Sequence, residues 1–117
     1  LGDLLLIVHC LIVLCGIQLH MIEIKQTPQF EKWLDSLRDK RTQLKIASRI
    51  LRLKSGLDGD IKPVGAGVSE LRINYGPGFR LYLIKRGNEY IILLCGGDKS
   101  TQSRDIRLAK ELAEKWK

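Results

Sequence analysis

From Met21 to its end the sequence contains no histidine; the two it has are His9 and His20. That absence removes from this stretch the side chain most often used for proton transfer near neutral pH. Cysteine is nearly as scarce. Cys10, Cys15 and Cys95 are odd in number, and their spacing is that of neither a metal site nor a disulfide framework. Cys95 sits in an apolar run and reads as a small buried apolar residue. The first twenty residues, "LGDLLLIVHCLIVLCGIQLH", have no lysine or arginine. A secretory signal wants a basic start and a small-residue cleavage site, and neither is clear here. A membrane helix wants about 20 apolar residues, and the run from Leu4 to Leu19 is shorter and contains His9 and Gly16. The favoured reading is that residues 1–20 are an upstream mis-start and that one domain runs over 21–117; an apolar, membrane-associated extension is the alternative.

What is present is positive charge. The chain has 117 residues, enough for one domain with a single core. It carries 20 Lys+Arg against 13 Asp+Glu, a net charge of +7, and every basic residue follows Leu19. Such a balance favours an anionic partner, nucleic acid or an acidic protein, over a merely basic surface only when a face gathers the charge.

The pattern then divides cleanly. "MIEIKQT" alternates and predicts a short strand. Thr27-Pro28 has the form of an N-cap followed by a helix-starting proline, with Phe30, Trp33, Leu34 and Leu37 on one stripe. Asp39 is placed to cap a second helix running to about Lys54, whose inner face is Ile46, Ala47, Ile50, Leu51 and Leu53. The short join predicts an antiparallel helical hairpin. Arg41, Lys45, Arg49 and Arg52 fall on the outer side of the second helix, where they are either a solvated face or a track for a phosphate backbone. Gly56 to Gly67 is loop by composition. Strands follow at Val68–Tyr75, Phe79–Arg86 and Glu89–Cys95, separated by short glycine turns, and an amphipathic helix runs from about Thr101 to Trp116. The order predicts an α+β domain: a small antiparallel sheet, strand-helix-helix-strand-strand-strand-helix, with a helical hairpin and a C-terminal helix.

Strand parity assigns faces. If Tyr75 pairs with Phe79, then Glu70, Arg72, Asn74, Arg80 and Tyr82 share one face, and Leu71, Ile73, Leu81, Leu83, Ile92 and Leu94 share the other. The apolar face should hold the helices. The polar face is either a wet sheet surface, with Glu70 neutralising Arg72, or an anion-binding concavity with Tyr82 free to stack on a base. "LLCGGDKSTQSRD" superficially suggests a phosphate loop. It is not one, because Asp98 separates Gly97 from Lys99, the earlier glycine is missing at Leu93, and the neighbouring strands are antiparallel. What remains is Lys99 at a strand end before a helix start, at the rim of the polar face.

The motifs E-L-R-I, G-P-G-F-R-L-Y and G-G-D-K-S-T-Q-S-R-D-I, with the earlier F-E-K-W-L-D-S-L-R-D, resemble the RelE/ParE superfamily of bacterial toxins, more closely its HigB-like "addiction module killer" branch. The resemblance covers Met21 to Lys117. It implies a cytoplasmic toxin of a type II toxin–antitoxin system, held inactive by a cognate, helix-turn-helix antitoxin. Its most expected activity is ribosome-dependent mRNA cleavage without metal or other cofactor. A ParE-type inhibitor of DNA gyrase and a non-catalytic basic binding module are the alternatives. The family's phosphate-holding arginine matches Arg80, the arginine of the preceding strand matches Arg72, and the basic residue after the last strand matches Lys99. Glu70 stands where some nucleases have lysine, and the Asp105 region where some have tyrosine or histidine. The expected catalytic set is therefore Arg80, Arg72, Lys99 and Glu70, the last as base or as Arg72's partner. Arg41, Lys45, Arg49, Arg52 and Tyr82 are expected to bind RNA, and no metal site is expected.

Overall fold

The computed structural model describes residues 22–116. The expectations about residues 1–20 and about Met21 as a start lie outside that range. The described chain forms β1 (Glu23–Gln26), α1 (Pro28–Ser36), α2 (Lys40–Lys54), β2 (Ile61–Gly65), β3 (Val68–Ile73), β4 (Phe79–Arg86), β5 (Tyr90–Gly97), a single 3₁₀ turn (Lys99–Thr101) and α3 (Gln102–Glu114). None of these helices is long and apolar enough to cross a membrane.

Both early helices start where their caps dictate. The Thr27 hydroxyl accepts from Phe30 N at 3.0 Å, with Pro28 opening α1, and the Asp39 carboxylate accepts from Arg41 N at 3.2 Å. Thr27 is also buried and donates to the Leu94 carbonyl at 2.5 Å, which ties the start of α1 to β5. Across the join, Gln43 donates to the Leu37 carbonyl at 2.6 Å.

The domain is α+β, but its sheet is mixed. The strand order is β1-β5-β4-β3-β2, with β1 parallel to β5 and all other neighbours antiparallel. Two expectations are corrected here. The segment assigned to a loop contains an edge strand, β2; its Pro63 is tolerated because an edge strand leaves one side unpaired, and its register shifts between Pro63 and Gly65. The strand β3 ends at Ile73, so Arg72 lies opposite Arg80 and Glu70 opposite Tyr82. The turn is longer than expected because Gly76 and Gly78 both take positive φ around Pro77, and residues 74–78 leave the ladder.

A third correction concerns the faces. Leu71, Ile73, Leu81 and Leu83 pack with Phe30, Leu34, Ile46, Ile50 and Leu53, as parity requires. However, their partners on β5 are Ile91 and Leu93, not Ile92 and Leu94. A bulge shifts the β4–β5 register between Tyr82 and Leu83, so that Leu94 and Cys95 both join the opposite cluster. That opposite face is not wet. The helix α3 lies against β5, β4 and β3, and Ala109, Leu112 and Ala113 bury Tyr82, Ile84, Ile92 and Leu94. Both faces of the sheet are therefore cores.

The double glycine after Cys95 follows from this layering. A Cβ on Gly96 would lie 2.4 Å from the Trp33 ring of α1, and one on Gly97 would lie 1.8 Å from Asp105 Oδ2 of α3. Each glycine admits a close neighbour, from opposite sides of the sheet.

Candidate functional site

The residues of interest gather at one end of β3 and β4. A cavity of about 270 Å³ is lined by Asp60, Arg72, Ile73, Asn74, Gly78, Phe79 and Arg80. Arg72 and Arg80 are cross-strand neighbours, an arrangement that repels unless each cation has its own anion. The structure supplies both. Arg72 is exposed and meets Asp60, with Nε 3.1 Å from Oδ2 and Nη2 3.3 Å from Oδ1. Arg80 is 8% exposed and faces Glu70, which has no exposure. The expected Glu70–Arg72 pair is thus replaced by two pairs, because the register sets Glu70 opposite Tyr82 and brings the loop carrying Asp60 to Arg72.

The Arg80 guanidinium is held from two sides. Its Nη1 donates to the Gly78 carbonyl at 2.8 Å, and its Nε stands 3.8 Å from Glu70 Oε1. The other oxygen of Glu70 accepts from Tyr82 Oη at 3.1 Å and from Gln102 Nε2 at 2.9 Å. Burial of Tyr82, followed by the neighbouring Glu70 charge, pushes the phenol well above its ordinary range, so it remains a donor. These contacts bear on two expectations. Glu70 has no exposure and faces Arg80, so it presents no open carboxylate to the cavity. Tyr82 lies beneath α3 and is not open to stack on a base.

Lys99 is exposed, as expected for a rim residue. It lies beside the cavity-lining Gly78, where a built Cβ would be 3.4 Å from Arg80 Nη1 and 3.9 Å from Lys99 Cβ, and Gly78 has a φ of +80°. The preceding Asp98 caps the 3₁₀ turn by accepting from Ser100 N at 2.8 Å, and its bonds to Ser100 hold its carboxyl below the usual range. Asp105, at the start of α3, is buried and accepts from Thr101 Oγ1 at 2.5 Å.

The outer face of α2 is only partly as expected. Arg41, Lys45 and Arg52 are exposed. Arg49 is not part of that track, because its guanidinium folds under Gly59, where an added Cβ would lie 2.1 Å from Nη2, and Nη2 is buried. Lys45 Nζ lies 5.7 Å from the centre of the Tyr75 ring, and Arg41, Leu44, Lys45, Ser48 and Tyr75 line a second, shallow cavity of about 500 Å³.

Sequence reasoning missed three contributors. Asp60 was hidden in a segment taken for loop, and Gln102 carried no signal beyond its place at a helix start. Gly78 carries only a turn signal in the sequence, yet its carbonyl holds Arg80 and its backbone lies beside Lys99. Among the described residues, no three His, Cys, Asp or Glu side chains are grouped to hold a metal ion.

No protein-family model matches the chain. It is 52% identical over 93 residues to an uncharacterised protein of Haemophilus influenzae, an alignment spanning 80% of this chain and 94% of that one.

Proposed function

The chain belongs to one family with that Haemophilus influenzae protein, and we propose that this member is the toxin of a toxin–antitoxin pair: a HigB-like, RelE/ParE-type endoribonuclease that cuts mRNA on the ribosome without a metal. The observation that carries the reading is the buried Arg80, bonded to the Gly78 carbonyl and facing Glu70, at a cavity shared with Arg72, with Lys99 beside Gly78. A guanidinium fixed in advance loses little freedom on meeting a phosphate, and arginine suits bidentate phosphate contact.

In this mechanism the RNA 2′-hydroxyl attacks the adjacent phosphorus and the 5′-oxygen leaves. Arg80 and Arg72 stabilise the crowded phosphate. Lys99 stabilises charge on, or protonates, the leaving oxygen. The cavity-lining carboxylate is Asp60, which Arg72 holds in the free protein. A phosphate that draws Arg72 away leaves Asp60 to accept the 2′-hydroxyl proton. Arg41, Lys45 and Arg52 dock ribosomal RNA by charge. An acidic partner that covers this basic surface acts as antitoxin.

The test is to induce residues 21–117 in bacteria without an antitoxin and map transcript 5′ ends during arrest. New ends inside translated frames, lost with Arg80→Ala in a folded protein and reduced by about a hundredfold with Asp60→Asn, support the reading. Cleavage that survives Arg80→Ala refutes it. One observation favours a second reading, gyrase inhibition without catalysis: the carboxylate expected as base, Glu70, is fully buried. Arrest with intact transcripts and lost supercoiling would select it.

A further inference from the structure

We propose that Gln102 is a positioning residue which, together with Tyr82, sets the direction of the Arg80 guanidinium through Glu70. Nothing in the proposed chemistry uses Gln102, yet it makes a 2.9 Å bond into the fully buried carboxylate opposite Arg80. Both donors, Gln102 Nε2 and Tyr82 Oη, converge on Glu70 Oε2. This leaves Oε1 turned toward Arg80 Nε at 3.8 Å, and neither of those two atoms has a hydrogen bond. The carboxylate therefore acts on Arg80 by charge at a fixed distance and does not clamp it. Its rotation about the last side-chain bond is set by the two donors on the far oxygen. Without them, Oε1 and Oε2 are free to exchange places or to close on Nε, and the guanidinium swings about its Gly78 tether. Gln102 is the first residue of α3, so the docking of that helix on the sheet and the aim of Arg80 are one event.

The proposal rests on the cavity being a phosphate site, and its test separates the two claims. The protein is labelled with ¹⁵N, and the Arg80 Nε–H signal is assigned by its loss in Arg80→Ala. Hydrogen exchange of that one group is followed with and without inorganic phosphate as the probe. With Gln102→Ala, whose side chain is half-exposed, Arg80 Nε–H exchange quickens and phosphate affinity weakens, each by about tenfold. The backbone amide pattern of β3, β4 and β5 stays unchanged. Tyr82→Phe gives the same selective effect, and the double variant exceeds either. In programmed ribosomes, Gln102→Ala lowers kcat with KM held, because docking surfaces are untouched. An Arg80 signal and phosphate affinity unchanged in both variants would overturn the inference. So would quickened exchange spread evenly over the sheet, which marks a merely structural role. Selective loosening of Arg80, combined with cleavage that survives Arg80→Ala, would keep the positioning role and remove the nuclease reading.

Discussion

The two faces of the sheet are both buried, but in different chemistry. Under α1 and α2 the core is aliphatic and aromatic: Phe30, Leu34, Ile46, Ile50 and Leu53 against Leu71, Leu81, Leu83, Ile91 and Leu93. Under α3 the apolar cluster is bordered by buried Glu70, Arg80 and Asp105, and its Tyr82 donates to Glu70. The first face needs only shape and volume. The second holds charge in a low-dielectric setting, where position matters more than amount. A sheet covered on both sides thus has one face of apolar packing alone and another that combines packing with a buried cation.

The contrast can be broken most severely at Glu70. Glu70→Ala strands Arg80 as a buried, unpaired cation and costs about 3–5 kcal/mol, measured by urea unfolding. Leu81→Ala on the opposite face costs about 2–5 kcal/mol, but it leaves anion binding at Arg80 intact. Equal loss of phosphate binding in both variants would erase the distinction between the faces. The glycine pair gives a finer comparison. Gly96→Ala collides with Trp33 and Gly97→Ala with Asp105, each costing about 1–3 kcal/mol. The first is relieved by a smaller residue at 33 and the second in part by Asp105→Ala, since Thr101 Oγ1 would still lie 2.9 Å away, with no cross-relief. Thr27→Ala removes both a cap and a tether to β5, on the aliphatic side, for about 1–2 kcal/mol, with Arg80 unaffected.

A separate effect, confined to alkaline solution, is a slope with pH. Burial, then the nearby Asp105 charge, pushes the Cys95 thiol up to about 12. The folded state therefore keeps a proton that the unfolded chain gives up above about pH 8.5. Stability is full below that value and falls as pH rises through the alkaline range. The Tyr82 phenol, raised in the same direction, adds to the fall above about pH 10. Cys95→Ala should flatten the first part of this slope in thermal unfolding followed against pH.

Much of the architecture is written locally. Helix starts at Thr27-Pro28 and Asp39, and the limits of β4, follow from caps, turn glycines and alternation, which act over a few residues. What escaped reading depends on partners far along the chain. The β2 strand has weak propensity and exists because β3 offers it a ladder. The bulge at Leu94 changes which β5 side chains face α1 and α2, and no periodicity reveals an extra residue. For the site, Arg72, Arg80 and Lys99 were legible because motif and parity place them together. The roles of Glu70 and Tyr82 were not, since both turn on α3 covering a face whose polarity suggested water. Asp60 and Gln102 reach the site from a loop and a helix start, and side-chain direction there is set by packing alone.

The parallel edge strand has a consequence in time. The strand β1 finds its ladder only on β5, and Thr27 bonds a carbonyl 67 residues further along the chain. During synthesis the beginning of this domain must wait, unpaired, until almost all of the rest has emerged. High sequence separation of this kind slows folding, and it places the completion of the sheet after that of the β3–β4 hairpin. A strand left without a neighbour during that interval keeps its backbone groups open to other chains. The helix α3 follows β5 in the chain and brings Gln102 to Glu70, so the surroundings of Arg80 are completed only once that later segment has been made.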